Sequence, residues 1–428
     1  MSRPTSSRSS PVASSALADV QLPSPPKSSV SAVVFSPTPS TTTSMLISSW
    51  DHDVHHYRID TTNICTSGTE AVHKVQVFTH EAPVLDVCFI TPDLAASGGV
   101  DRRLRLLDLK SGKTMILGKH EDSVSKLRWC PLTRMLISGS ADRSICFWEV
   151  SESEQGGAKL LKKLDMPDKV IAMDVSPPFA QATNSNDKIY SASLPGQPHA
   201  RDSTPRLVVA MAGRHVFVYD LIPLRKAIDS EQAGKLVKER DWQPDQQRES
   251  SLKFMARDLR CMPAGDGYAM SSIEGRIAVE FFDPSEKVQA MKYAFKCHRE
   301  TVKEGDEDAA IDEDQERLEK PYDVVYPVHG LAFHPRHGTF ASLGGDSIVS
   351  VWDAAAKKRI RQYAKLSSAV TAGAFDASGT LLLLATGSDK VDHTQQADEK
   401  DKVQLVLKCN AWNECKPRLK SSSSSGKK

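Results

Sequence analysis

HEDSVSKLRWCPLTRMLISGSADRSICFWE, residues 120–149, is the stretch from which the fold is read. A short apolar run leads to a proline turn, and a strand of small and apolar residues follows. An aspartate turn then reverses the chain into an alternating strand that ends next to an acidic residue. Short runs rich in β-branched and aromatic residues, separated by Pro, Gly and Asp, are the pattern of hairpin-connected strands. Residues 80–108, HEAPVLDVCFITPDLAASGGVDRRLRLLD, repeat it: His-Glu first, a valine four residues after the histidine, then ASGG where the first stretch has ISGS. The two copies start 40 residues apart, the length of one repeating structural unit.

Five further units carry weaker versions of the pattern. They are SAVVFSPTP with MLISSWDHDVHHYRID (31–60), KVIAMDVSPP with RLVVAMAGRHVFVYDL (169–221), and DLRCMPAGDGYAMSSIEGRIAVEFFD (258–283). VHGLAFHPRHGTFASLGGDSIVSVWD (328–353) and TAGAFDASGTLLLLATGSDK with VQLVLKC (371–409) complete the set. A four-stranded sheet cannot bury both faces alone, so such units stack around an axis until the ring closes and strand edges are removed. The expected fold is all-β: a seven-bladed WD-repeat β-propeller, a closed ring of four-stranded antiparallel blades over residues 30–409. Closure is expected to pair a strand near residues 30–35 with the last blade. Residues 1–29 read as a disordered Ser/Pro-rich tail and 410–428 as a C-terminal tail, low-complexity from 416 onward, and polar insertions are expected at 181–205, 300–320 and 387–402. The segment 300–320 holds ten acidic and three basic residues and reads as a solvated loop.

The 428 residues contain 55 Lys plus Arg against 54 Asp plus Glu, so bulk charge does not draw the chain to nucleic acid or to a membrane surface. No apolar run approaches the length of a membrane span, and the N-terminal residues lack the apolar stretch of a secretory signal. Eight cysteines without a Cys-x-x-Cys pair, several inside apolar strands, read as buried free thiols of an intracellular protein.

In the third unit His120, Ser138, Asp142 and Trp148 have the spacing of a hydrogen-bonded brace. A buried imidazole needs partners on both nitrogens, which a turn aspartate and a strand serine supply. His80, Asp101 and Ser97 partly repeat the set in the second unit. A recurring His–Asp arrangement is structural, since an enzyme would need it once. Nucleophile elbows, phosphate-binding glycine loops and zinc-hydrolase motifs are absent from the sequence, so no enzyme activity and no cofactor are expected. DHDVHH (51–56) offers metal-ligating types, but strand alternation puts His55 and His56 on opposite faces, and no metal site is assigned. Basic residues gather in the fifth unit: Lys253, Arg257, Arg260 and Arg276. Paired cations of this kind suit a phosphorylated Ser or Thr, although basic rim residues are often only solvated.

RESSLKFMARDLRCMPAGDGYAMSSIEGRIAVEFFDPSEKVQAMKYAFKCHRE (248–300), HEAPVLDVCF, YPVHGLAFHP (326–335) and VWDAAAKKRI (351–360) resemble the spindle-checkpoint WD-repeat family of the kinetochore. The resemblance implies a non-enzymatic adaptor, nuclear and at kinetochores in mitosis. It implies binding of a short motif in the checkpoint kinase and its kinase-like relative, with membership of a mitotic checkpoint complex. It further implies reading of phosphothreonine in Met-Glu-Leu-Thr repeats of the outer kinetochore scaffold. Carried over, the phosphopeptide-binding positions are Lys253, Arg257 and Arg276, with Trp50 of SSWD on the same peptide surface; no direct nucleic-acid or membrane partner is implied. Two positions depart from the family pattern: Ala141 replaces an aromatic before Asp142, and Phe254 replaces a tyrosine. The competing resemblance is to the nuclear-pore mRNA export propeller, toward which HPRHGT (334–339) leans. A WD subunit that presents substrates to a ubiquitin ligase lacks support, because no additional linker-binding domain is seen.

Overall fold

A computed structural model describes residues 19–151, 157–178, 204–302, 321–388 and 402–418. Seven four-stranded antiparallel sheets follow one another along the chain as blades 1 to 7, each running from an innermost to an outermost strand. Blade 1, for example, comprises Val30–Phe35, Thr42–Ser49, Asp53–Asp60 and Val72–Thr79. The middle strands carry runs of buried residues on both faces, as in Met135–Ser140 and Gly267–Ser272, because each blade is covered by its two neighbours.

The ring closes differently from the sequence expectation. Val30–Phe35 is the innermost strand of blade 1, whereas the strand that completes blade 7 is Val20–Gln21, paired with Leu407 and Val406. Val20 and Leu22 are buried in the core that blades 1 and 7 share, so part of the segment 1–29 belongs to the ring. The chain is also ordered past residue 409: Ala411–Glu414 forms a helical turn, Cys415 is buried, and Thr339 donates to the Cys415 carbonyl at 2.7 Å. Most of each expected insertion lies outside the described residues. Arg299–Val302 and Tyr322–Val325 form a two-stranded ribbon that brackets the acidic one.

One helix departs from the all-strand pattern. Leu221–Gln232 follows the third strand of blade 4, with Asp220 as its N-cap accepting from the Ile222 amide. Its buried residues Leu221, Leu224 and Ile228 join the core between blades 3 and 4.

The innermost strands set the geometry of the channel. Asp86 of blade 2 accepts from the Leu127 amide of blade 3 (2.9 Å), Asp174 of blade 4 from Cys261 of blade 5 (2.8 Å), and Asp258 of blade 5 from Leu331 of blade 6 (2.9 Å). Arg128 bridges two of these carboxylates, donating to Asp86 and to Asp174 at 2.8 Å each. Buried charges persist here because each is paired and hydrogen-bonded.

Every innermost strand also carries a register slip at its second residue. A bulge of this kind leaves one residue out of the ladder and re-aims its side chain. The bulged positions are Ser31, Leu85, Ser125, Ile171, Arg257, His329 and Thr371 in blades 1 to 7. Ser31 and Ser125 use the position to bond the next blade's innermost strand, at the carbonyls of Val84 (2.6 Å) and Val170 (2.6 Å).

Candidate peptide-binding face

Hairpin alternation puts two kinds of connection at the same end of the ring: the turn between second and third strands, and the segment leading from each outermost strand to the next blade. We call this end the upper face. The two are tied in all seven blades by one backbone hydrogen bond, for instance Trp50 N to Ser29 O (3.0 Å), Ala141 N to Ser123 O (3.0 Å) and Ile273 N to Met255 O (3.2 Å). Trp50, Ala141 and Ile273 are therefore equivalent rim residues, as are Val100, Ala212 and Gly345. The substitution of Ala141 for an aromatic thus changes the upper rim, and blade 3 keeps its geometry. Val100 and Ile273 are exposed, which leaves an apolar rim.

In blade 3 the brace is complete. Trp148 Nε1 donates to Ser138 Oγ (2.9 Å), Ser138 lies 2.8 Å from His120 Nε2, and His120 Nδ1 lies 3.0 Å from Asp142 Oδ2. The aspartate can only accept, so Nδ1 carries the proton and Ser138 donates to Nε2. Burial is the leading influence on His120 and lowers its pKa. Blade 2 uses a different wiring. His80 Nε2 meets Ser97 Oγ at 2.7 Å, but its Nδ1 donates to the Phe78 carbonyl (3.0 Å), while Asp101 is taken by Arg105. The expected His80–Asp101 contact does not form, because the nearby guanidinium competes for the carboxylate. A second complete brace escaped the sequence reading: Trp352 Nε1 to Ser342 Oγ, Ser342 to His298 Nε2, and His298 Nδ1 to Asp346, each 2.8 Å.

Asp51 is the corresponding turn aspartate of blade 1. His55 Nε2 lies 3.1 Å from its carboxylate, and His56 turns the other way to Ser44 Oγ at 3.1 Å. The pairing of Asp51 with His55 is thus a local form of the His–Asp turn bond found in blades 3 and 6.

Blade 5 builds the basic site. The segment entering it is pinned from blade 4: Arg214 donates to the carbonyls of Ser250 (2.8 Å) and Leu252 (3.0 Å), and Leu252 is buried. Lys253, Phe254 and Met255 follow, all exposed, and Arg257 is exposed at the bulge of the innermost strand. Arg276 opens the third strand directly opposite Lys296 of the outermost strand. Like charges in register on neighbouring strands repel, so this pair costs stability unless an anion lies nearby. The available one is Glu274, whose Oε1 is 3.5 Å from Arg276 Nε without a hydrogen bond at either atom. The side chains of Lys253, Arg257 and Lys296 have no ion-pair partner among the described residues. Arg260, in contrast, is paired with Asp258 at 3.1 Å and belongs to the channel. Lys253, Arg257 and Arg276 thus share one blade's upper face. Trp50 is on the same face but in blade 1, with blades 6 and 7 between. Lys296 and the exposed Met255 and Ile273 were missed in the sequence; strand register of YAFKCHR against GRIAVEFF is the signal that finds Lys296.

The family model "WD domain, G-beta repeat" matches residues 112–149, the outermost strand of blade 2 with most of the first three strands of blade 3. The "Mitotic checkpoint protein BUB3.1" of Arabidopsis thaliana is 34% identical over 400 residues, 94% of each chain. The chain belongs to the BUB3 family of mitotic checkpoint proteins. The "Mitotic checkpoint protein bub3" of Dictyostelium discoideum is 31% identical over 377 residues, covering 88% of this chain and 89% of its own. The family's export relatives also align: "mRNA export factor GLE2" of Chaetomium thermophilum is 28% identical over 404 residues, 94% of this chain and 92% of its own. Within the BUB3 ring the HPRHGT run is a packing element. His334 is fully buried and stacks on His337 at 4.1 Å, and His337 Nε2 bonds the Trp412 carbonyl (2.9 Å). These residues seat the C-terminal turn.

Proposed function

We propose that this protein is a non-enzymatic adaptor of the spindle assembly checkpoint that works through its upper face. In this reading the apolar rim around the channel mouth clasps a short linear motif of the checkpoint kinase and its kinase-like relative. Lys253, Arg257 and Arg276 read phosphothreonine in Met-Glu-Leu-Thr repeats of the outer kinetochore scaffold. Trp50 contributes apolar surface on the far side of the mouth and contacts the motif rather than the phosphate.

The observation that carries this reading is the concentration of under-compensated cations on one blade. Arg276 and Lys296 face each other across a strand pair, and Arg257 occupies a bulge position where the other blades hold uncharged side chains or a histidine. A phosphate dianion between such groups gains charge-assisted hydrogen bonds and removes their mutual repulsion. The neighbouring Phe254, Met255 and Ile273 suit the Met and Leu side chains of the repeat. Titration of phosphorylated and unphosphorylated Met-Glu-Leu-Thr peptides tests the reading, with tighter binding of the phosphorylated form expected. Equal affinity for both would refute it. Recovery of kinetochore and checkpoint-kinase partners from mitotic cells is expected; nuclear-pore partners alone would favour the export alternative.

A further inference from the structure

Seven of the eight cysteines are buried, and the exposed one, Cys65, is not alone. It sits on the helical turn Ile64–Ser67, in the connection between the third and outermost strands of blade 1. Its Sγ lies 4.0 Å from the carbonyl oxygen of Cys409, the residue that follows the last strand of blade 7, Gln404–Lys408. The two cysteines meet across the seam of the ring although 344 positions separate them in sequence.

That seam is thin. The strand that closes blade 7 has only the two residues Val20 and Gln21, supplemented by the Leu22 amide to Leu405 (2.9 Å) and an ion pair of Asp19 with Lys408. The other blades are joined by unbroken chain. Gly68, directly after the Cys65 turn, has φ of 57°, a backbone conformation that suits glycine.

We infer that Cys65 and Cys409 form a reversible disulfide that locks the ring at its closing seam. The oxidant is a peroxide. The exposed Cys65 thiolate attacks hydrogen peroxide, giving a sulfenic acid and releasing water once protonated. The Cys409 sulfur then displaces hydroxide from the Cys65 sulfur; the S–O bond breaks, the S–S bond forms and a second water leaves with the Cys409 proton. Two thiols are oxidised and one peroxide is reduced to two waters. Selectivity follows from access, since oxidation tracks thiolate character and exposure. Burial, which is the main influence on Cys409, pushes its pKa up to about 12, so Cys65 reacts first and Cys409 resolves. Cys88, Cys146, Cys297 and Cys415 are likewise pushed up to about 12 by burial. A cross-link over so long a chain segment removes much of the unfolded chain's freedom.

The test uses the full chain, treated with hydrogen peroxide, alkylated, digested without reductant and mapped by mass spectrometry. A linked Cys65–Cys409 peptide is expected, together with a thermal unfolding midpoint raised by a few degrees that returns on treatment with dithiothreitol. Cys65→Ser and Cys409→Ser should each abolish both effects. The exposed Cys65→Ser should leave the reduced protein's midpoint unchanged within error, whereas Cys409→Ser, in the core, is compared before and after peroxide with its own reduced form. Cys65 recovered as sulfinic acid or in an intermolecular disulfide, with Cys409 still alkylated, would overturn the assignment. A linked peptide without a raised midpoint would overturn the locking role.

Discussion

Blades 3 and 5 are built on the same four strands and put their polar groups to opposite use. In blade 3 the groups look inward: His120, Ser138, Asp142 and Trp148 consume one another's hydrogen bonds. In blade 5 the turn aspartate is replaced by Glu274, the position after it is Gly275, and the histidine and tryptophan of the brace are absent. Its cations face solvent with capacity to spare. Satisfied buried networks hold a fold together, whereas unsatisfied exposed ones are available to a ligand.

Substitutions should separate the two blades. The largest effect is expected from His120→Ala, which leaves Asp142 and Ser138 buried without their partner. It should cost about 2–4 kcal/mol of stability, measured by denaturant unfolding, with the affinity of the folded protein for phosphopeptide unchanged. An unchanged unfolding midpoint would remove the brace from the argument. Arg276→Ala should do the reverse: about 1.5–3 kcal/mol less binding of the phosphorylated peptide, no change for the unphosphorylated one, and an unaltered midpoint.

Acid should reach the buried histidines before it affects the basic site. Burial holds His56 and His80 down to about 4 and His334 down to about 3, against 6.5 when unfolded. The unfolded chain therefore takes up protons first. Stability is complete above pH 6.5 and falls as the pH is lowered toward 4, by up to 1.36 kcal/mol per pH unit per histidine in that window. Unfolding midpoints at pH 7.5, 6 and 5 check the sign; a midpoint that rises on acidification would contradict it. The smallest effect is expected for Lys296→Gln. It relieves repulsion with Arg276, so the free protein should be unchanged or slightly more stable, while phosphopeptide binding weakens by about 0.5–1 kcal/mol. That loss should shrink further in high salt.

The blade 3 brace was legible because its members fall within one repeat, His120 standing 18 residues before Ser138. The same brace in blade 6 was not, because the ribbon and acidic segment stretch the His298–Ser342 interval to 44. Ser342, Asp346 and Trp352 nonetheless keep the spacing of their blade 3 counterparts. The closing strand was invisible for another reason: two residues cannot display an alternation. The helix Leu221–Gln232 had readable signals, an aspartate N-cap and apolar residues at helical spacing, which the strand pattern overrode. Of the four basic residues that the sequence gathers in the fifth unit, Lys253, Arg257 and Arg276 lie on the upper face of blade 5, while Arg260 pairs with Asp258. The segment that leads to Lys253 is anchored by Arg214, a contact between blades that no single repeat encodes.

The seven bulges have a consequence for how such rings change partners. Each is a numbered seat around the mouth, held by the same backbone geometry whatever side chain sits there, and the ring tolerates serine, leucine, isoleucine, threonine, histidine or arginine in it. Under the proposed reading, moving an arginine from the fifth seat to another would re-address the phosphopeptide to a different sector while the scaffold stays intact. Specificity, under that reading, follows which seat is charged, and two substitutions, one at each seat, are enough to move it.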